Sequence, residues 1–296
     1  MLFDTAPGPI FRPPSEANSL ILRVTLGCSH NQCSFCSMYK GTTFKKRTLP
    51  EIFTLIEEAG IFYPSARRVF LADGNALCLA TDELIAVLQK LKITFPHLQR
   101  ITSYAAPQDL LNKSVEELKE LKSHGLQMVY LGLESGSDTI LKKIRKGATS
   151  AEMILVAERL QEAGIKLSVM VILGLGGTED SIEHIDKTAT VVSKMNPNFL
   201  SALSLMIHPG TELRKLAEAG SFIPLSPYQM VEEIGMLLRK ITPKSPIIFR
   251  SSHPSNFTIL AGTLPKDQGH LILEAENSLQ FLENYKTPEY NDHDRF

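Results

Sequence analysis

Residues 20–36 have the sequence LILRVTLGCSHNQCSFC. The aliphatic and β-branched residues of Leu20–Leu26 predict a strand that ends at Gly27. This strand is followed within nine residues by three of the four cysteines of the chain: Cys28, Cys33 and Cys36. Because loops at the carboxyl ends of strands carry the chemistry of many α/β proteins, the stretch predicts a functional loop on an α/β scaffold.

The chain beyond this loop alternates short apolar runs with longer amphipathic ones. Further strands are predicted at Val69–Ala72, Arg100–Tyr104, Met128–Leu133, Lys166–Leu173 and Phe199–Leu205. Helices are predicted at Pro50–Ala59, Thr81–Leu91 with Thr81 as N-cap, Ser114–His124, Ser150–Ala163, Thr178–Met195 and Thr211–Ala219. Such strand–helix units predict a parallel sheet, either open and doubly wound or closed toward a barrel, and periodicity alone does not distinguish the two.

The regular alternation of strands and helices ends at Gly220. The residues beyond it predict a helix at Pro227–Lys240, a strand at Ile247–Arg250 and a helix at Pro265–Leu282. The predicted domains are an N-terminal extended segment at 1–18, a core at 19–222 and a C-terminal α/β extension at 223–296. We expect the extension to pack on the core and to end in a mobile tail from about residue 286.

The bulk composition is that of a globular protein, with 296 residues, 43% of them hydrophobic, and a formal net charge of -1. Nucleic-acid-binding domains usually carry a basic excess, so we do not expect a nucleic-acid partner. The sequence has no apolar run of membrane-helix length and no signal-peptide pattern, so we expect a cytoplasmic protein without a membrane partner.

Clustered cysteines in a cytoplasmic chain indicate metal binding rather than disulfides. Three thiolates on one loop can hold an iron–sulfur cubane and leave one iron without a protein ligand, whereas a structural zinc ion requires four ligands. His30 lies in the loop and is the candidate for a fourth zinc ligand. The cysteines alone therefore leave an iron–sulfur cluster, a zinc ion and unliganded thiols open. Cys78, which has apolar neighbours, is expected to be a buried apolar residue.

The cysteine loop resembles that of the radical S-adenosylmethionine (SAM) superfamily, whose usual signature is Cys-x3-Cys-x2-Cys after the first strand of a partial (β/α)6 barrel. Here the spacing is Cys-x4-Cys-x2-Cys. Phe35 matches the aromatic residue that precedes the last cysteine in the family and packs near the adenine. The resemblance implies a partial (β/α)6 TIM-like barrel of parallel strands. It also implies one 4Fe–4S cluster held by Cys28, Cys33 and Cys36, with SAM bound at the open iron.

Further motifs follow later strands in the order found in the superfamily. Asp73-Gly74-Asn75 resembles the Gly-Gly-Glu-like turn that meets the methionyl amino group of SAM, with Asn in place of Glu. Glu134 and Ser135 lie in a segment similar to one in heme-biosynthetic and methylthiotransferase-like members, where the residue at the Glu134 position contacts the ribose. Lys146 falls where those members place an Arg for the SAM carboxylate.

Gly174 and Gly176, after the fifth predicted strand, are similar to the glycine motif that lets the backbone approach the adenosine. His208 begins a turn that resembles the Pro-Gly-Thr turn of the same branch, and the whole resemblance covers about Leu20–Gly220. Taken singly, each motif also fits a structural role: an ordinary turn for the glycines, a solvated acid for Glu134 and a surface lysine for Lys146.

The resemblance implies an oxygen-sensitive enzyme that cleaves SAM to a 5′-deoxyadenosyl radical, which then abstracts hydrogen from a substrate. Only Cys78 remains for a further metal site, so we expect a single cluster. The expected electron donor is a flavodoxin or ferredoxin. The basic run from Lys40 to Arg47 is either its docking site or an ordinary solvated loop.

A polar segment near the C-terminus is similar to stretches in small, largely uncharacterised bacterial members of the superfamily. Its residues Arg250, His253 and Asn256 are predicted either to act on a polar substrate or to tie the C-terminal segment to the barrel. The expected substrate is an unidentified small molecule or cofactor precursor. The alternatives are modification of RNA or protein, and a non-catalytic iron–sulfur or zinc protein on the same scaffold.

Overall fold

The computed structural model describes Asp4 and residues 8–287. Its strands are β1 (Leu20–Arg23), β2 (Thr25–Leu26), β3 (Lys45–Lys46), β4 (Arg68–Ala72), β5 (Arg100–Ala105), β6 (Leu126–Glu134), β7 (Lys166–Leu173), β8 (Phe199–Ser204), β9 (Ile247–Arg250) and β10 (Ala261–Leu264). Its α-helices are α1 (Leu49–Phe62), α2 (Thr81–Thr94), α3 (Pro107–Leu111), α4 (Val115–Ser123), α5 (Asp138–Lys143), α6 (Ser150–Glu162), α7 (Gly177–Met195), α8 (Glu212–Glu218), α9 (Pro227–Lys240) and α10 (Gln268–Phe281). Short 3-10 helices lie at Pro14–Glu16, Ala76–Cys78 and Glu283–Tyr285.

The main sheet of the described residues has eight strands in the order β1-β4-β5-β6-β7-β8-β9-β10. Strands β1, β4, β5 and β6 pair in parallel, as do β7, β8 and β9, and β10 pairs antiparallel with β9. Strands β2 and β3 form a separate antiparallel ladder. The alternation of parallel strands with helices confirms the predicted α/β class.

The predicted strand Leu20–Leu26 is divided into β1 and β2, because the chain bends at Val24. The amide of Val24 donates to the carbonyl of Ala72 at 3.0 Å, and its carbonyl accepts from the amide of Arg47 at 3.1 Å. Val24 therefore joins the main sheet to the β2–β3 ladder, from which the cysteine loop begins.

Other differences from the sequence prediction are local. The N-cap of α2 is Ala80 rather than Thr81, whose hydroxyl instead donates to Glu117 at 2.6 Å. The last long helix begins at Gln268 rather than at Pro265, because residues 265–267 form a turn between β10 and the helix. The short helices α3 and α5 and the ladder strand β3 are not predicted from the sequence.

The described residues fall into two compact units. The first contains the described residues up to Asn31, Met38–Leu131 and Leu155–Leu167; the second contains Gln32–Ser37, Gly132–Ile154 and the chain from Ser168 onward. The predicted core at 19–222 contributes to both units, so its division from an extension at 223–296 stays a prediction. The predicted segment at 1–18 and the tail from about 286 lie partly outside the described residues.

The strands of the first unit are buried on both faces, as expected for parallel strands covered by helices. All residues of β1 are buried, as are those of β4 after Arg68. The fully buried carboxylate of Glu16 accepts from the hydroxyl of Tyr130 at 2.6 Å and from Arg100 at 2.8 Å. These bonds hold the N-terminal segment against β5 and β6.

The second unit contains a further parallel strand, β9, after the strands that the sequence assigns to the core. Strand β9 lies beside β8, with Phe199 opposite Ile248. Helix α9 packs against both α7 and α10 and buries Met230, Ile234 and Leu237. Within the part of the chain that the structure describes, no helix has the length and hydropathy needed to cross a bilayer.

Candidate cofactor site

The cysteine loop begins and ends at the β2–β3 ladder, in which Thr25 pairs with Lys46. In the first unit, the sulfur of Cys28 accepts a 3.5 Å hydrogen bond from the amide of Asn31. Asn31 has φ 39°, in the left-handed region that Asn tolerates better than most residues. The longer first gap of the Cys-x4-Cys-x2-Cys spacing thus contains a tight turn whose amide points at a sulfur.

The turn after β4 lies directly against Cys28. A Cβ added at Gly74 would be 2.6 Å from the Cβ of Cys28 and 2.8 Å from its Cα, so only glycine fits. The carboxylate of Asp73 accepts from the amide of Gly27 at 3.1 Å and from the hydroxyl of Tyr39 at 3.4 Å, and burial raises the pKa of Asp73. The structure therefore packs the predicted SAM-contacting turn onto the first cysteine.

The side chain of Asn75, which stands in place of the family's Glu, is fully buried and bonded within the protein. Its Oδ1 accepts from the amide of Ser29 at 3.0 Å, and its Nδ2 donates to the hydroxyl of Ser29 at 2.6 Å and to both carboxylate oxygens of Asp109 at 3.1 Å. Burial raises the pKa of Asp109. Sequence reasoning missed Ser29 and Asp109; the signal for Asp109 is a Pro-x-Asp start of a short helix, at Pro107.

The segment that carries Cys33 and Cys36 belongs to the second unit. Phe35 packs against a buried apolar cluster formed by Ile140, Leu141, Ile144 and Leu175. The amide of Ser34 donates to the carbonyl of Ile144, and its carbonyl accepts from the amide of Leu213, each at 3.0 Å. Backbone bonds to the end of α5 and the start of α8 thus hold the segment between these helices.

Glu134 and Lys146 are brought together as an ion pair of 2.8 Å, with each side chain 12% exposed. Glu134 ends β6 with φ 64°. A Cβ at Gly132 would be 2.0 Å from Oε1 of Glu134 and 3.0 Å from Nζ of Lys146, so the pair requires glycine there. The two residues are therefore neither a solvated acid nor a surface lysine.

Ser135 turns its hydroxyl into the protein, where it bonds Nδ1 of His184 at 2.8 Å. Nε2 of His184 lies 2.9 Å from the carbonyl of Ile172, so Nε2 carries the proton and Nδ1 accepts from Ser135. Burial lowers the pKa of His184 to about 4, which keeps the ring neutral. The neighbouring amide of Gly136 donates to the hydroxyl of Thr188 at 2.9 Å, so α7 fixes this segment.

The glycine motif after β7 is enclosed by two helices. Gly174 has φ 78°, and a Cβ there would be 2.3 Å from Cε of Met230 on α9. A Cβ at Gly176 would be 2.7 Å from the carbonyl oxygen of Asp180 on α7. The amide of Gly174 donates to the carboxylate of Glu233 at 2.6 Å. No local sequence signal marks Glu233, which lies 59 residues along the chain from Gly174.

Asn256 ties the loop after β9 to the carboxyl end of β8. Its Oδ1 accepts from the amide of Ser204 at 2.7 Å and from its hydroxyl at 3.0 Å, and its Nδ2 donates to the carbonyls of Ala202 and Ser251 at 2.8 Å. His208 lies beyond β8, where its carbonyl accepts from the hydroxyl of Thr211 at 2.7 Å.

Arg250 and His253 are more open than Asn256. Arg250 is exposed and donates to the carbonyls of Phe249 at 2.7 Å and Gly262 at 3.3 Å. His253 is half-buried, its Nδ1 accepts from the amide of Ser255 at 3.2 Å, and burial lowers the pKa of His253. The imidazole of His253 is therefore neutral near pH 7, because even an unperturbed histidine is mostly unprotonated at that pH.

The basic side chains that follow the cysteines form ion pairs and hydrogen bonds within the first unit. Lys45 pairs with Glu51 at 2.7 Å, Arg47 pairs with Asp4 at 2.9 Å and Lys46 donates to the carbonyl of Cys78 at 2.8 Å. These contacts favour the interpretation of an ordinary charged loop.

Cys78 is half-buried rather than fully buried, and it lines a cavity of about 630 Å³ together with Lys46 and Lys113. Burial, with a contribution from Asp109, raises the pKa of the Cys78 thiol to about 11. Because metals bind the thiolate, this residue is a poor ligand at neutral pH.

The donor set of the cysteine loop fits an iron–sulfur cluster. Cys28, Cys33 and Cys36 are all partly exposed reduced thiols, and the amide of Asn31 bonds the sulfur of Cys28. Thiolates are the usual ligands of such clusters, and hydrogen bonds to sulfur tune their potential. Among the described residues, those of the cysteine loop included, no three His, Cys, Asp or Glu side chains are grouped so that they could hold a single metal ion.

Comparison with protein families gives a match over residues 22–189 to the model described as the radical SAM superfamily. Among characterised relatives, the heme chaperone HemW of Bacillus subtilis strain 168 is 21% identical over 200 residues, which are 65% of this chain and 52% of that protein. A tRNA-2-methylthio-N(6)-dimethylallyladenosine synthase of Burkholderia pseudomallei strain 1710b is 26% identical over 223 residues, 70% of this chain and 47% of that protein. The chain thus spans about half the length of these relatives.

Among solved structures, the radical SAM methyltransferase TsrM from Kitasatospora setae, with cobalamin and a [4Fe-4S] cluster bound, superposes with a TM-score of 0.55. It is 18% identical, and the match covers 68% of this chain and 39% of that one. This likeness confirms the predicted fold class, that of the partial TIM-like barrels.

Proposed function

Because the chain belongs to the radical SAM superfamily, whose members are enzymes that use a 4Fe–4S cluster and SAM, we propose that Cys28, Cys33 and Cys36 hold the cluster and that the protein cleaves SAM reductively. The observation that carries this proposal is the cysteine loop, with its sulfur-directed amide and the Gly74 turn packed on Cys28. When bound, the cluster and SAM supply a 5′-deoxyadenosyl radical that abstracts hydrogen from the substrate.

The contacts to the methionine part of SAM and to the ribose are assigned to the turn after β4 and to the ion pair of Glu134 and Lys146. The side chain of Asn75 is occupied by Ser29 and Asp109, so the backbone carbonyls of the turn Asp73-Gly74-Asn75 are assigned to the methionyl amino group. Lys146 is assigned to the SAM carboxylate as a point charge, since lysine lacks the planar fork of arginine, and Glu134 to the ribose.

The adenosine is assigned to a surface of the second unit that is formed by the turn after β7 and by Phe35 of the cysteine loop. Gly174 and Gly176 let the backbone of this turn approach the adenosine, and Phe35 packs on the apolar cluster that includes Leu175. Ser135 acts through His184 rather than through a free hydroxyl, and His208 contributes through the turn to α8.

The substrate is proposed to be a small molecule or a cofactor precursor, with Arg250 and His253 as the groups that meet it and Asn256 holding their loop. An exposed guanidinium and a neutral imidazole suit a polar or anionic substrate. RNA is the second candidate, favoured by the match to a tRNA-modifying synthase but opposed by the net charge of -1. A flavodoxin- or ferredoxin-type donor and a cytoplasmic location belong to the same proposal, since a cluster with exposed thiolate ligands requires a reducing compartment.

The test is anaerobic reconstitution with iron and sulfide, followed by reduction in the presence of SAM. We expect the iron content of one 4Fe–4S cluster per chain and release of 5′-deoxyadenosine. Cys33→Ala is expected to lose both, while Cys78→Ala, the matched control, retains both because the Cys78 thiol has a raised pKa. Bound zinc without SAM cleavage, or full iron content in Cys33→Ala, would contradict the proposal.

A further inference from the structure

Helix α9 places a carboxylate inside the second unit, directly behind the glycine motif. Glu233 is fully buried. Its Oε2 accepts from the amide of Gly174 at 2.6 Å, and its Oε1 accepts from the hydroxyl of Ser181 on α7 at 2.6 Å. Both carboxylate oxygens are therefore used, one on the turn and one on the helix that follows it.

The same helix also closes the space around the turn. Met230 lies one turn before Glu233 on α9, and its Cε and Sδ would be 2.3 and 2.6 Å from a Cβ at Gly174. Gly174 has φ 78°, a backbone conformation that favours glycine. The position of this amide is thus set by a steric wall on one side and a hydrogen bond on the other.

Helix α7 continues the polar contacts from Ser181 toward the segment after β6. His184 bonds the carbonyl of Ile172 and the hydroxyl of Ser135, and Thr188 bonds the amide of Gly136. Ser181, His184 and Thr188 recur every three or four residues and so lie on one face of α7. This row, which we call the α7 polar row, connects Glu233 with the turns after β6 and β7, to which two of the SAM contacts are assigned.

Stability alone is a weak explanation for a carboxyl group in this place. Burial raises the pKa of Glu233 to about 7, which means that the surroundings penalise its charge. Replacing a buried ionisable group by an apolar one of similar volume is often neutral or stabilising. The hydrogen bond that Glu233 accepts from the amide of Gly174 fixes the orientation of that amide, which an apolar residue of the same size could not do.

We propose that Glu233 is a positioning residue, which holds the amide of Gly174 and thereby the Gly174–Gly177 turn in the conformation that receives the adenosyl part of SAM. This inference rests on the proposed function, in which that turn meets the adenosine. It also assigns to α9, outside the matched residues 22–189, a part in cofactor binding.

The decisive variants are Glu233→Leu and Glu233→Gln. Leucine removes the acceptor and keeps much of the volume. Glutamine keeps the shape: its carbonyl oxygen accepts from Gly174, and its amide donates to the hydroxyl of Ser181, which can accept. Glu232→Leu, at the exposed neighbouring position of α9, is the matched control.

Two measurements separate positioning from general damage. Equilibrium dialysis of SAM against the reconstituted protein gives Kd, and 5′-deoxyadenosine formation gives KM and kcat. For Glu233→Leu we expect a Kd and KM about tenfold higher, as for loss of one buried hydrogen bond, with iron content and kcat retained. Glu233→Gln and Glu232→Leu are expected to stay within about twofold of the wild type.

Hydrogen exchange of the peptide that contains Gly174, in protein without cluster or SAM, provides the independent readout. Exchange there is expected to be about tenfold faster in Glu233→Leu and unchanged in Glu233→Gln. The proposal is overturned if Glu233→Leu exchanges like the wild type, or if it merely lowers Tm while Kd is unchanged. If the wild type fails to cleave SAM, the proposed function fails, and the exchange result still decides whether Glu233 orders the turn.

Discussion

Replacement of Gly74 by alanine tests the contact between the turn after β4 and the first cysteine. The new Cβ would be 2.6 Å from the Cβ of Cys28, 2.8 Å from its Cα and 3.0 Å from the carbonyl oxygen of Gly27. The last two are backbone atoms, so no side-chain rotation relieves the overlap. Gly74 has an ordinary φ, so alanine adds no backbone strain of its own.

The overlap must therefore be relieved by movement of the turn or of Cys28. Inserting a methyl group into a filled site typically costs about 1–3 kcal/mol. The amide of Gly74 donates to the carbonyl of Gly27 at 3.1 Å, and Asp73 bonds the amide of Gly27, so both sides of the contact are held. We expect Gly74→Ala to displace Cys28 and to lose most of its cluster while the fold persists.

The assay is chemical denaturation of the protein without cofactor, paired with the iron content after reconstitution. Gly269→Ala is the control: an added Cβ there meets nothing within 4 Å, and alanine in helix α10 is expected to be neutral or stabilising by up to about 1 kcal/mol. Wild-type stability and full iron content in Gly74→Ala would refute the close packing that the structure shows.

Two further predictions concern the second unit. The pKa of Glu233 is raised from 4.5 to about 7, so its favourable contribution is complete below pH 4.5 and disappears as the pH rises through 7. At about 1.4 kcal/mol per pKa unit, the free energy of unfolding of the wild type, relative to that of Glu233→Gln, should fall by about 2.5 kcal/mol between pH 5 and pH 8. Urea titrations of both proteins at the two pH values check this. A difference in unfolding free energy that stays constant with pH contradicts it. Asn256→Ala should cost about 2–4 kcal/mol, because it removes two hydrogen bonds accepted from Ser204 and two donated to carbonyls, whereas exposed Arg250→Ala should stay within about 0.5 kcal/mol in thermal unfolding. If Asn256→Ala retains wild-type stability, Asn256 does not tie the loop.

The order of the long elements is predictable from the sequence because each buried parallel strand is a short apolar run and each covering helix is amphipathic. Elements of few residues escape the same reasoning. Helices α3 and α5 are five and six residues long, too short to show helical periodicity. Strand β10 reads AGTL, which carries little hydrophobic signal because it pairs at an edge of the sheet.

The places of most motif residues in the fold are predictable, because Cys28, Gly74, Glu134 and Gly174 lie at or just after the ends of strands. Their supporting partners are not, since these come from distant parts of the chain. Asn75 and Asp109 are 34 residues apart, and Gly174 and Glu233 are 59 residues apart. No local pattern couples such pairs, and a buried Asn or Glu resembles a surface residue until the fold brings its partner to it.

The β2–β3 ladder clamps the cysteine loop at both ends, which makes residues 27–44 a closed ring rather than an open connection. The entropy of closing a flexible ring grows only with the logarithm of its length, and even a doubling costs about 0.6 kcal/mol. One residue more between the first two sulfurs is therefore a small perturbation, while the loss of a sulfur is not. A search pattern that fixes the first gap at three residues would pass over chains of this kind. A pattern built on a bent strand, its clamp and the three sulfurs between would retain them.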